Sequence, residues 1–186
     1  MRSHDAQAST RPAQAGRATC GRRLAGNAGL AVVGIAALLV GVLVYWLDRV
    51  PGHSLLIPVA GALTGGPSFG KLALWLPSFV HPLAFGLFTA TLLPARPGWR
   101  VGGCALWGAV NVAFELGQHS LVSASLAAKL LGDAGAAAAP WRQALAGYFA
   151  AGTFDIGDLV AIVLGTALAV LLLHAVSAGG RTFHAS

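Results

Sequence analysis

The chain has 186 residues, 56% of them hydrophobic and only 10% charged, with a formal net charge of +6; its mean hydropathy is +0.71. Soluble domains carry about a quarter charged residues, so this composition excludes an ordinary soluble domain and points to a membrane protein. The positive charge gathers at the start, where Arg2, Arg11, Arg17, Arg22 and Arg23 outweigh Asp5 without an accompanying aromatic or basic stripe. It reads as a topology signal and speaks against nucleic-acid binding.

Residues 1–27 are rich in Ala, Arg, Ser, Thr, Gln and Gly and hold almost no apolar run. Such a segment buries too little surface to offset its ordering entropy, so a disordered cytoplasmic tail is expected. The first span is expected from Gly29 to Leu47, near the roughly 20 apolar residues that a bilayer requires. Its apolar run continues to Asp48 and Arg49 without a small-residue cleavage site, which favours an uncleaved span over a signal peptide. Residues 50–71 are apolar but interrupted by Pro51, Gly52, Pro58, Gly61, Gly65, Gly66 and Pro67. Backbone that irregular cannot face lipid with its amides unpaired, so a loop lying on the bundle is expected.

Two further spans follow, Leu72 to Leu93 and Val101 to Leu121, joined by a short connection holding Arg96 and Arg100. Across residues 122–157 the Ala and Leu runs at 124–131 and 141–151 predict two short interfacial helices, with Trp141 and Tyr148 as interface anchors. The last span is expected from Leu159 to Val176. The predicted fold is therefore all-α: a four-helix transmembrane bundle over residues 28–177, with short interfacial helices in the third connection and a cytoplasmic tail at 178–186. Gly34, Gly41 and Gly165 suit close helix approach.

With both termini inside, the basic residues at 2, 11, 17, 22, 23, 96, 100 and 181 are cytoplasmic, against Arg49, Lys71, Lys129 and Arg142 outside. That asymmetry supports the orientation. Cys20 and Cys104 then lie towards a reducing compartment, where disulfides are rare.

Asn111, Glu115 and Gln118 recur at i, i+4 and i+7 and share one helix face. A carboxylate within a span is expensive and is a functional candidate by default. At about 1.5 Å rise per residue, His81 falls roughly 13 Å below the outer start of the second span and Glu115 roughly 9 Å below the outer end of the third, which puts them level. Gln118 and His119 sit one turn higher, and Asp155 and Asp158 open the last helix at the same face. Pro82 removes a backbone donor, frees the carbonyl of Ser78 and tends to bend its helix.

Each of these residues also has a structural reading. Asp155 fits an N-cap with Asp158 at N3. His81 fits a core imidazole bonded to a neighbouring carbonyl, and Glu115 fits an interhelical hydrogen bond that cements packing. His119 fits a residue at headgroup level.

Three pieces of sequence together resemble the VanZ-like family of small integral membrane proteins, over roughly residues 30–176. Ser78-Phe79-Val80-His81-Pro82-Leu83-Ala84-Phe85 is similar to the family's histidine early in its second helix. Phe114-Glu115-Leu116-Gly117-Gln118 is similar to its Glu-x-x-Gln pair. Gly152-Thr153-Phe154-Asp155-Ile156-Gly157-Asp158, with Gly165 following, is similar to its Arg-x-x-Asp-x-x-Asp-x6-Gly opening of the last helix. The chain departs from the pattern in lacking a Lys shortly before His81, and in having Gly152 where Arg and Ile162 where Asn are common.

The resemblance implies a multi-pass protein of the bacterial inner (plasma) membrane and a link to glycopeptide antibiotic tolerance. The leading expectation is an outer-leaflet polar site, built from His81, Asn111, Glu115, Gln118, His119, Asp155 and Asp158, that binds a cell-envelope or lipid-linked molecule without turnover. Pro82 and Gly165 are assigned structural roles. The expected partners are membrane lipids and a lipid-linked cell-wall precursor, with no nucleic acid, no cofactor and no metal. Two alternatives stand beside it: an acid/base or metal-assisted enzyme acting on lipid head groups, and a structural subunit in which the polar cluster is helix-packing glue.

Overall fold

The structure is a computed structural model that describes residues 11–48 and 69–179. Among these residues it is all-helical: α1 (Arg11–Asp48), α2 (Leu72–Leu92), α3 (Pro97–Gly117), α4 (Ser123–Leu131), α5 (Pro140–Ala151) and α6 (Ile156–Gly179), with a 3-10 segment at Gly132–Ala137 between α4 and α5. Three helical stretches are long and apolar enough to cross a membrane, namely Ala25–Asp48, Leu72–Leu92 and Ile156–Ala178. The stretch expected as the third span is not among them. Arg100, Asn111 and Glu115 and repeated glycines lower the apolarity of α3, yet it packs along both α2 and α6.

Several boundaries differ from the sequence expectation. The first helix already begins at Arg11 and runs for 38 residues, so residues 11–27 are helical where a disordered tail was expected. Ala, Arg and Gln are good helix formers, and a segment can hold a helix without being apolar. The expected tail over residues 1–10, most of the expected loop at 50–71, and residues 180–186 lie outside the described residues. The third helix starts at Pro97, where proline suits an N-terminal turn, and it stops at Gly117, with Gln118 as its C-cap. Gln118 and His119 therefore stand beyond the helix that was expected to carry them. The two short helices of the third connection form as expected, at Ser123–Leu131 and Pro140–Ala151.

Helix α2 lies at the centre, packed against α1, α3 and α6. It continues through both Pro77 and Pro82. Its buried face supplies Leu83, Leu87 and Ala90 to a core shared with Leu30 of α1, Cys104 of α3, and Ala169 and Leu173 of α6. Cys104 behaves there as a small apolar side chain: it packs against Gly86, where an added Cβ would meet its Sγ at 3.3 Å. Outward-facing Leu39, Leu74, Leu106, Val163 and Leu171 remain exposed, the pattern of helices whose outer face meets hydrocarbon.

Close approach fixes the helix pairs. Gly34 lies under the Phe88 ring, Gly41 faces Val80, and a Cβ on Gly165 would run into the backbone carbonyl of Phe79. The last of these matters most, because backbone cannot rotate away as a side chain can. Gly165→Val should force α2 and α6 apart and cost about 1–3 kcal/mol of stability, the range for overpacked sites. Gly102→Ala, where nothing lies within 4 Å of the added Cβ, should be neutral or gain up to about 1 kcal/mol from helix propensity. Denaturant titration of the detergent-solubilised protein reads both.

Candidate functional site

The ends of three helices meet where α2 begins, α3 ends and α6 begins. The residue that draws them together is Glu115, in the last turn of α3 and only 7% exposed. Its Oε1 accepts a hydrogen bond of 2.7 Å from the backbone amide of Asp155. A helix start leaves its first amides without intrahelical partners and carries positive dipole charge. A carboxylate arriving from a neighbouring helix supplies both an acceptor and the complementary charge.

Asp155 completes this end of α6. Its Oδ1 accepts from the amide of Gly157 at 2.8 Å, and its carbonyl accepts from the amides of Asp158 and Leu159 at 3.1 and 3.4 Å. That is the N-cap geometry expected from sequence. Its Oδ2 accepts from the indole Nε1 of Trp75 at 3.3 Å. The Trp75 ring lies against Gly157, where an added Cβ would collide with the indole. Asp158 stands close enough to Glu115 and Tyr148 for its charge to act on both.

Gln118 packs its side-chain amide onto Gly152, leaving no room there for a Cβ. It is hydrogen-bonded to the side chain of Tyr148 on α5. Burial, and after it the charge of Glu115, hold the Tyr148 phenol above its usual pKa, so it stays protonated at neutral pH. Sequence alone casts Tyr148 as an interface anchor. In the structure it packs edge-on to Phe114 at 5.8 Å and beside Phe149, while Trp141 is the exposed aromatic of α5. Phe149 in turn covers Gly117 at the end of α3.

His119 makes an edge contact with Phe154 at 5.0 Å, and its Nδ1 accepts from the amide of Leu121 at 3.3 Å. The contacts of Asn111 and His81 run elsewhere. Asn111 bonds the carbonyl of Trp107 in its own helix at 2.8 Å. The His81 imidazole bonds the backbone of Pro77 and stacks on Phe85 at 6.1 Å, and Phe85 stacks on Trp107 at 4.9 Å.

The expected levelling of His81 with Glu115 fails because α3 ends early. With its terminus at Gly117, Glu115 stands only about 3 Å from the helix end, whereas His81 remains roughly 13 Å along α2. Trp75, about 4–5 Å into α2, takes the place that the histidine was expected to fill. An indole offers one donor and no titration, so nothing in the sequence singles it out.

The grouping is acid-rich. No Lys or Arg occurs between Val101 and Ala128 or between Gln143 and Gly180, and Arg142 extends towards Gly132. Burial is graded, from exposed Asp155 through partly buried Asp158 and Gln118 to buried Glu115. Among the described residues no group of three or more His, Cys, Asp or Glu side chains is placed to hold a metal ion. A cavity of about 560 Å³ lies away from this grouping, between the end of α2 and the start of α3. Comparison with family models, with curated proteins and with solved structures gives no match.

Glu115→Ala would leave the part-buried Asp155 amide without its acceptor and should cost about 1–3 kcal/mol of stability. Glu115→Gln, which keeps a carbonyl oxygen in place, should retain most of it. Thermal unfolding of the two variants in the same detergent separates them.

Proposed function

We propose that this chain is a four-helix membrane protein of the VanZ-like kind, lodged in the inner (plasma) membrane of a bacterium with both termini in the cytoplasm. Its polar end, formed by Glu115, Gln118, Asp155 and Asp158, binds the head group of a cell-envelope or lipid-linked molecule at the outer leaflet. Here α3 is the fourth crossing. Its polar residues lower its apolarity, and its packing between α2 and α6 shields them from lipid.

The observation that carries the reading is the joining of Glu115 to the start of α6, with Asp155 and Asp158 beside it and no Lys or Arg in the sequence flanking them on α3 or α6, the nearest cation on α2 being Lys71 at its start. Carboxylates gathered in a membrane protein repel one another and are costly to keep ionised. A ligand rich in N–H donors or bearing an ammonium group relieves that cost. The graded burial leaves Asp155 open to such a ligand, with Asp158 and Gln118 behind it. The resemblance in the Glu-x-x-Gln pair and the paired aspartates supports the same assignment and brings with it tolerance to glycopeptide antibiotics.

A second reading has a specific observation in its favour: both oxygens of Asp155 and one of Glu115 are occupied within the protein. On that reading the cluster is glue that seats α6 on α3, and the chain is a structural subunit. Asp158→Asn together with Gln118→Ala distinguishes the two, since neither replacement removes the Glu115–Asp155 bond. If the cluster binds an envelope ligand, the double variant should accumulate in the membrane at wild-type level and lose any tolerance to a glycopeptide antibiotic conferred by the wild type. Full tolerance in the double variant would favour the glue.

A further inference from the structure

At the opposite end of α2 the chemistry is reversed. No acidic residue occurs between Asp48 and Glu115, while Arg96 and Arg100 flank the turn into α3. Arg96 is exposed and Arg100 partly buried. The Nε of Arg100 is buried and has no hydrogen-bond partner among the described residues. From the same first turns of α3 opens the cavity of about 560 Å³, lined by Thr89 and Leu93 of α2 and by Gly98, Trp99, Gly102, Gly103 and Leu106 of α3. It is an apolar groove about two helical turns long, roughly 12 Å between the levels of Gly98 and Leu106. Trp99, 60% exposed at its mouth, is the residue type that settles at the level of lipid head groups.

The geometry points to a binding site for one anionic glycerophospholipid, its phosphate on Arg96 and Arg100 and one acyl chain in the groove along Gly102 and Leu106. Charge selects the occupant. A segment with two guanidinium groups and no acid within reach along the chain favours a net-negative head group over a zwitterionic one. The first turn of α3 adds the positive end of a helix dipole and a proline start on the same side. The groove exists because Gly98 and Gly102 carry no side chain: an added Cβ at either would meet nothing within 4 Å. Gly103 differs, since Thr89 and Leu93 already close over it at 3.0 Å. The inference requires that α2 cross a bilayer; it does not depend on the ligand proposed for the acidic end.

Two arms of one experiment test the two halves of this site. The detergent-solubilised full chain is titrated with phosphatidylglycerol or phosphatidylcholine of matched acyl chains, and bound lipid is counted by native mass spectrometry. Wild type should retain phosphatidylglycerol in preference. Arg96→Gln and Arg100→Gln should each weaken phosphatidylglycerol retention about fivefold, the scale of one basic residue at an anionic membrane surface, and weaken phosphatidylcholine retention less, because its choline ammonium offsets the phosphate charge. Gly102→Leu fills the groove without touching the charges or the packed backbone, and it should reduce retention of both lipids at an unaltered unfolding temperature. Equal retention of the two lipids by the wild type, or wild-type retention after either arginine replacement, would overturn the head-group assignment. Wild-type retention by Gly102→Leu would overturn the groove and leave only diffuse surface charge.

Discussion

The hydrogen bond from the Asp155 amide to the buried carboxylate of Glu115 joins two helices through groups that neither could leave unsatisfied. A buried carboxylate needs a donor, and the first turn of α6 needs an acceptor. Each deficiency answers the other, and the arrangement of this end of the bundle follows. Asp155 is fixed as the cap of α6, its second oxygen is turned to Trp75 of α2, and α5 is drawn in where Phe149 covers the last glycine of α3.

Further along, α6 packs closely against α2. Once α6 is seated at its start, its register against α2 brings Gly165 to the Phe79 carbonyl and Ala169 and Leu173 into the core with Leu83 and Leu87. Hydrophobic burial drives little association between helices already in lipid; close van der Waals packing and interhelical hydrogen bonds do most of it. The polar bond and the glycine contacts are complementary in that sense: the first sets register, and the second supplies contact area. Acids gather where α6 starts and arginines flank the start of α3.

Much of the architecture is legible in the sequence because the bilayer imposes a length and a polarity that composition records directly. The apolar helices, the two short helices of the third connection and the capping role of Asp155 all follow from such local rules. The end of α3 does not. Leu121 and Val122 extend the apolar run, but apolarity reports the solvent around a segment and says nothing about whether its helix continues. Where the chain turns at Gly117, Phe149 and Leu126 pack on it, and Phe149 is distant in sequence. That displacement of four residues moves Glu115 away from the level of His81 and towards Trp75. Tyr148 is hidden for a similar reason: an aromatic near a membrane surface reads as an anchor until its neighbours are known. The helix over residues 11–27 is equally hard to read, because the segment is polar and only the helix preference of Ala, Arg and Gln speaks for it.

The central claim is that the buried carboxylate of Glu115 holds the amide that starts α6. Hydrogen exchange at that single amide, followed by NMR in the wild type and in Glu115→Ala, addresses it most directly. The account predicts slow exchange at Asp155 in the wild type and exchange faster by about tenfold or more in the variant, tenfold corresponding to ~1.4 kcal/mol. Equal exchange at Asp155 in the two proteins would contradict it.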